Sequence, residues 1–202
     1  MDLADEADDR PAPATRRRGE ALESAILDAG WEVLSESGYP GFTYEAVAAK
    51  AGTSRPVLYR RWPQRDDLLL ATLKAYWSAH PIVVPDEGSL REDALVLLRN
   101  ASKVRGRLMT LISVQLMDYF RDSGSSFRQL REMLLQPGTR TGLEQIVDRA
   151  VARGEIADRP RHPRVINLPF DLFRHELFMG LQGVPETTIV EIVDEVWLPL
   201  IE

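Results

Sequence analysis

The stretch that most restricts what this chain can become is TYEAVAAKAGTSRPVLYRRW, residues 43–62, where two short apolar patterns of helical spacing meet at one glycine. Thr43 stands where an N-cap belongs, because its side-chain oxygen can accept from the open N–H groups of a helix start. Val47, Ala48 and Ala51 form the inner face of a helix closed by Gly52, a residue suited to the turn that ends a helix. Ser54 can cap a following helix that holds Arg55 and Pro56 in its first turn, where proline is tolerated, and turns Leu58 and Trp62 inward. A helix-turn-helix needs a small residue where its helices cross, a glycine at the turn and an exposed second helix with polar reach. Ala48, Gly52 and the Arg55, Tyr59 and Arg60 face meet those demands. Short helical hairpins are also ordinary packing units, so spacing alone leaves DNA binding and plain packing open.

Charge sharpens the choice. The formal net charge of −6 over 202 residues argues against nucleic acid, since phosphate neutralisation supplies most non-specific affinity. The average conceals a division, however. Asp2, Asp5, Glu6, Asp8 and Asp9 crowd the first residues and residues 66–202 are net acidic, whereas Lys50, Arg55, Arg60, Arg61 and Arg65 form a run of bases with no acid among them. Taken alone, such a run is also what a solvated face looks like.

Residues 1–15, acidic and broken by Pro11 and Pro13, have almost nothing apolar to bury and are expected to form a disordered tail. From Arg16, a first helix puts Leu22, Ala25, Ile26, Ala29 and Val33 on one stripe and stops at Gly38. Residues 16–63 thus make a three-helix head, and residues 64–202 a helical body. DDLLLATLKAYWSAH begins a connecting fourth helix with two acids at the positive end of its dipole. Ser89 to Glu92 has the pattern of a reciprocal capping box, opening a helix through about residue 105. GRLMTLISVQLMDYF reads as a helix buried on several sides, and FRQLREMLL, GTRTGLEQIVDRAVARG, INLPFDLFRHELFMG and PETTIVEIVDEVWLPLI supply the rest. No run alternates with period two, so the expected fold class is all-α.

No apolar run reaches the length of a membrane span, the N-terminus lacks a signal-peptide core, and the chain contains no Cys. A cytoplasmic protein without disulfides is expected. His80, His162 and His175 fall far apart, and neither a phosphate loop, a dinucleotide fingerprint, a zinc motif nor a nucleophile elbow is present. Neither catalysis, a metal nor a cofactor is expected.

The stretch RGEALESAILDAGWEVLSESGYPGFTYEAVAAKAGTSRPVLYRRWPQRDDLL resembles the TetR family of transcriptional regulators. The likeness lies in the helix, the Gly-aromatic turn, the Thr-initiated helix, the Ala-Gly turn, and the Leu-Tyr-basic-basic-aromatic-Pro run leading into an acidic helix start. It covers about a quarter of the chain, and Trp62 and Arg65 stand where Phe and Lys are more usual in the family. The resemblance implies that Thr43 and Tyr59 touch phosphates, that Lys50 or Arg65 adds a charged backbone contact, and that Arg55 and Arg60 reach bases or flanking phosphates. Ser54 and Pro56 belong to the same DNA-facing set. An Arg in the first turn of a helix in the major groove can pair bidentately with guanine, which makes Arg55 the expected specificity residue. The alternatives are a solvent-exposed Arg at a helix start and, for Pro56, an ordinary N-terminal proline. Arg16, Arg17 and Arg18 could follow the minor groove as an arm or merely keep the tail solvated.

The resemblance also implies a homodimer on a double-stranded DNA operator, a small-molecule effector, and repression as the mode of action. Phe170, Phe173, Leu177, Ile189, Val193, Val196 and Trp197 are expected at the chain–chain interface, the alternative being that their stripes pack inside one chain. Met109, Ser113, Leu116, Met117, Phe120 and Phe173 are candidates for the effector pocket, against the plainer reading as ordinary core; for His175 the plainer reading is a surface or interface histidine. A competing function is a helical ligand-binding or scaffold dimer whose helix-turn-helix no longer engages DNA.

Overall fold

The computed structural model describes residues 13–134, 138, 140–180 and 183–202, and all regular structure among them is helical. The head comprises α1 (Pro13–Gly41), α2 (Tyr44–Lys50) and α3 (Arg55–Arg61), and α4 (Arg65–Ala79) leads away from it. The body contains α5 (Leu90–Gln115), α6 (Met117–Ser123), α7 (Phe127–Leu134), α8 (Gly142–Ala152) and α9 (Pro163–Gly180). It closes with α10 (Glu186–Glu191), which winds through a π-helical segment (Ile192–Trp197) into α11 (Leu198–Ile201). No helix of the described residues is long and apolar enough to cross a membrane.

Local chemistry explains most helix starts. Thr43 accepts from the Ala46 N–H at 3.1 Å, and Thr141 and Glu144 form a reciprocal capping box. Gln64 and Asp67 form another at the start of α4, so the acids there cap as well as complement the dipole. At Ser89 only half of the expected box is made: the serine accepts from the Glu92 N–H at 3.2 Å, while the Glu92 carboxylate turns to Arg91. Ser54 has the extended backbone of a cap, yet its hydroxyl makes no capping bond.

Several boundaries differ from expectation. The first helix begins at Pro13, so the last three residues of the expected tail are helical, while residues 1–12 lie outside the described residues. Gly38 interrupts α1 with φ 64° and ψ −173°, a conformation nearly exclusive to glycine, and the chain then completes one more turn. Ala25 is exposed, and Leu34 joins Ile26, Ala29 and Val33 on the buried stripe. α5 does not end near residue 105 but runs to Gln115, because nothing there breaks the ladder. The expected GRLMTLISVQLMDYF helix is instead split at Leu116 (φ −102°, ψ 8°), where α5 meets the α1 kink.

Two cores result. The first joins head to body: Ile26, Leu34, Phe42, Val47, Leu58, Leu69 and Leu73 pack with Leu108, Ile112, Leu116, Tyr119 and Leu130. The second fills the body alone, from Leu95 and Leu98 of α5 through Leu143 and Ile146 of α8 to Phe173, Ile189 and Trp197. Because α5 contributes to both, the three-helix head is seated on the element that also carries the body.

Candidate nucleic-acid interface

The head is rigid for reasons visible at its centre. Leu58 is fully buried and Val47 packs into the same cluster, so α2 and α3 are fixed against α1. Gly52, at φ 63°, makes the turn between them. The Tyr44 hydroxyl donates to the Trp62 carbonyl at 2.7 Å, joining the start of α2 to the end of α3, and burial raises its pKa. Tyr59 lies with its ring 4.1 Å from that of Tyr44 and remains 49% exposed.

Ser54, Arg55, Pro56, Tyr59 and Arg60 are all exposed, and Thr43 lies half-buried at the neighbouring helix start. The Arg55 and Arg60 side chains therefore point away from the core that Leu58 and Trp62 fill. Arg60 makes no ion pair or hydrogen bond among the described residues. The other bases are differently placed. Lys50 reaches back from the end of α2 to α1, 2.9 Å from Glu36 and 3.1 Å from Glu32, contacts that raise its pKa, the Glu36 bond most. Arg55 pairs with Glu45, whose carboxyl is held below its usual range by that guanidinium first. Arg61 pairs with Glu23 and donates to the Gly19 carbonyl at 3.2 Å, a structural tie of α3 to α1.

Arg65 lies 3.8 Å above the Tyr39 ring, and the Tyr39 hydroxyl donates to Asp66 at 2.8 Å. Sequence reasoning found the bases of this face but not Glu23, Glu32, Glu36 and Glu45, their partners from α1 and α2, whose pairings are visible only once the helices cross. The Arg16, Arg17 and Arg18 side chains lie outside the described residues.

The expected partner and effector surfaces are less well served. Phe173, Leu177, Ile189, Val193 and Trp197 are buried within the chain's own second core, and Phe170 is half-buried. Within the chain, the stripes of α9 and the last helix face each other. Val196, Phe178, Met179 and Leu200 are the exposed apolar residues there, and His175 is exposed on α9.

The pocket candidates do not converge. Leu116 and Phe120 belong to the first core, Phe173 to the second, and Met109 touches both. Met117 is 52% exposed, and the Ser113 side chain lies outside the described residues. Two concavities lie elsewhere and open to solvent, one of about 350 Å³ between α1 and α4 and one of about 370 Å³ beside α8.

A compact helix-turn-helix, presented by a larger helical body and exposing Arg and Tyr on its second short helix, defines a DNA-binding transcriptional regulator. The chain belongs to the TetR family: residues 26–72 match the family described as bacterial regulatory proteins, tetR family, and residues 84–196 match the tetracyclin repressor-like, C-terminal domain. It is a family of transcriptional regulators rather than of enzymes. Among relatives, the DNA-binding transcriptional repressor TetR of Mycobacteroides abscessus is 28% identical over 91% of this chain and 96% of its own length. An uncharacterized HTH-type transcriptional regulator of Mycobacterium bovis is 27% identical over 98% of this chain and 93% of its own. The regulator AqdR of Rhodococcus erythropolis is 28% identical over 69% of this chain and 66% of its own.

Proposed function

We propose that this regulator is a cytoplasmic repressor that binds a double-stranded DNA operator as a homodimer and leaves it when a small-molecule effector occupies the helical body. The observation that carries the DNA-contact assignment is the joint exposure of Arg55, Tyr59 and Arg60 on a helix whose other face is pinned by Leu58. In this reading Thr43 and Tyr59 anchor phosphates, Lys50 or Arg65 adds backbone charge, Ser54 and Pro56 bring α3 close to the groove, and Arg55 and Arg60 reach base edges or flanking phosphates. Repression is supported by the Mycobacteroides abscessus relative, a DNA-binding transcriptional repressor. Dimerisation is supported by the exposed apolar residues Phe178, Met179, Val196 and Leu200 on α9 and the last helix, which a second copy would cover.

Effector control is supported by the contacts between body and head. Gln115 at the end of α5 lies against Gly38, and Tyr119 of α6 meets the Tyr39 ring edge-on at 5.4 Å, directly beneath Arg65. Movement of α6 would thus be felt by a DNA-facing base. Such coupling works only if the effector binds the DNA-competent and incompetent forms with different affinity.

Binding of the full-length protein to duplexes from around its own gene, across a salt series and with sedimentation of the complex, tests the reading. The expected result is a sequence-specific, salt-sensitive complex containing two copies of the chain. Sequence-independent binding, or none, would leave a helical scaffold; a single copy on DNA would remove the dimer.

A further inference from the structure

Glu45 stands on the side of the head that the proposed function turns toward DNA, where a carboxylate is repelled by phosphate; its place in the first turn of α2 suits the helix dipole but does not require the pairing it makes with Arg55. α2 already has a cap in Thr43, and both Glu45 and Arg55 are 57% exposed at the side chain, so their pairing does not fill a core. The contact is made by one guanidinium nitrogen, Nη1, to one carboxylate oxygen, Oε1. The Nε and Nη2 nitrogens of Arg55 make no hydrogen bond among the described residues. These two atoms form the edge of a guanidinium that can donate in parallel to guanine O6 and N7. A guanidinium held at one end loses less rotamer freedom on docking, and one already neutralised gains less from a lone phosphate.

We propose that Glu45 is a positioning residue for DNA selectivity: by holding Arg55 through Nη1, it orients the free edge toward a guanine and weakens the capture of Arg55 by backbone phosphates. Selectivity here is a difference between two affinities, and Glu45 acts on both, against the wrong contact by charge and for the right one by orientation. The lowered pKa of the Glu45 carboxyl agrees with a pairing that persists at neutral pH.

The test uses the full-length wild type, Glu45→Gln, Arg55→Gln and the double variant. Each is taken through selection from a random-sequence duplex library and through binding to a random-sequence duplex over a salt series. Glu45→Gln is expected to tighten binding to the random duplex severalfold and to steepen the salt slope by about 0.9 per head, one phosphate contact. It is expected to lower the enrichment of guanine at one selected position at least about fivefold. In the Arg55→Gln background it should leave that enrichment unchanged and move the random-duplex affinity and the slope clearly less, since only its direct repulsion of phosphate remains. Equal effects in both backgrounds would overturn the proposal, because Glu45 would then act only as a negative charge. An unchanged slope and enrichment after Glu45→Gln, or a wild type that enriches no position, would overturn it as well.

Discussion

The indole N–H of Trp197 donates to the Val165 carbonyl at 3.0 Å, the carbonyl that Pro169, four residues on and lacking an N–H, leaves without its helical partner. One bond thereby repairs α9 and fastens the last helix to it. Trp197→Phe should cost about 2–4 kcal/mol, from lost volume and an orphaned acceptor. In a Pro169→Ala background, where α9 regains its own donor, the same change should cost about 1 kcal/mol less. Urea denaturation of the four proteins measures that coupling, and strictly additive costs would show that the carbonyl is satisfied otherwise.

Arg60 is exposed and makes no ion pair among the described residues, so its loss should leave the fold alone. Arg60→Ala is expected to change stability by less than about 0.5 kcal/mol. If Arg60 meets a phosphate, binding should weaken equally on every sequence with a slope shallower by about 0.9 per head; if it meets a base, preference at one position should relax instead. Thermal melts beside salt-dependent binding separate these outcomes.

Gly38 combines φ 64° and ψ −173° with close approach to the body: a Cβ there would lie 2.6 Å from Gln115 Oε1. Gly38→Ala should therefore cost about 1–3 kcal/mol, chiefly through backbone strain. Adding Gln115→Ala removes the clash and not the strain, so it should restore only a minor part in a thermal melt.

Leu200, 53% exposed on the last helix, should matter to association more than to folding. Leu200→Asp is expected to yield a folded monomer by sedimentation, with helical circular dichroism intact and DNA affinity strongly reduced. A dimer of unchanged mass would move the interface elsewhere.

Burial raises the pKa of Tyr39, with Arg65 opposing and Asp66 adding to the shift, and burial likewise raises that of Tyr44. Folded values above the unfolded value of 10.0 mean that these phenols contribute stability in full below that pH and lose it as pH rises through the folded values. Denaturation midpoints should fall across that alkaline range, and Tyr39→Phe should make the fall shallower.

The head was largely legible because its determinants are local. Thr43 caps through Ala46, three residues on, Gly52 serves its own turn, and Leu58 and Trp62 declare their inward face by spacing. The same locality made the all-helical class readable, although GRLMTLISVQLMDYF carries no signal for the break at Leu116, which coincides with packing against Gly38. The effector candidates Leu116 and Phe173 share an apolar character that says nothing about which of two cores each enters.

The sequence by itself determined the helices, the helix-turn-helix and its outward bases, because hydrogen bonds three or four residues apart and apolar spacing are properties of a single segment. Only the tertiary structure decided which acid meets which base and which apolar stripes face each other inside the chain. Glu45 finds Arg55 ten residues away, Glu36 finds Lys50 across fourteen, and Trp197 finds Val165 across thirty-two. Contacts of that kind depend on the angles at which helices cross, and those angles are set by the filling of the shared core rather than by any one helix.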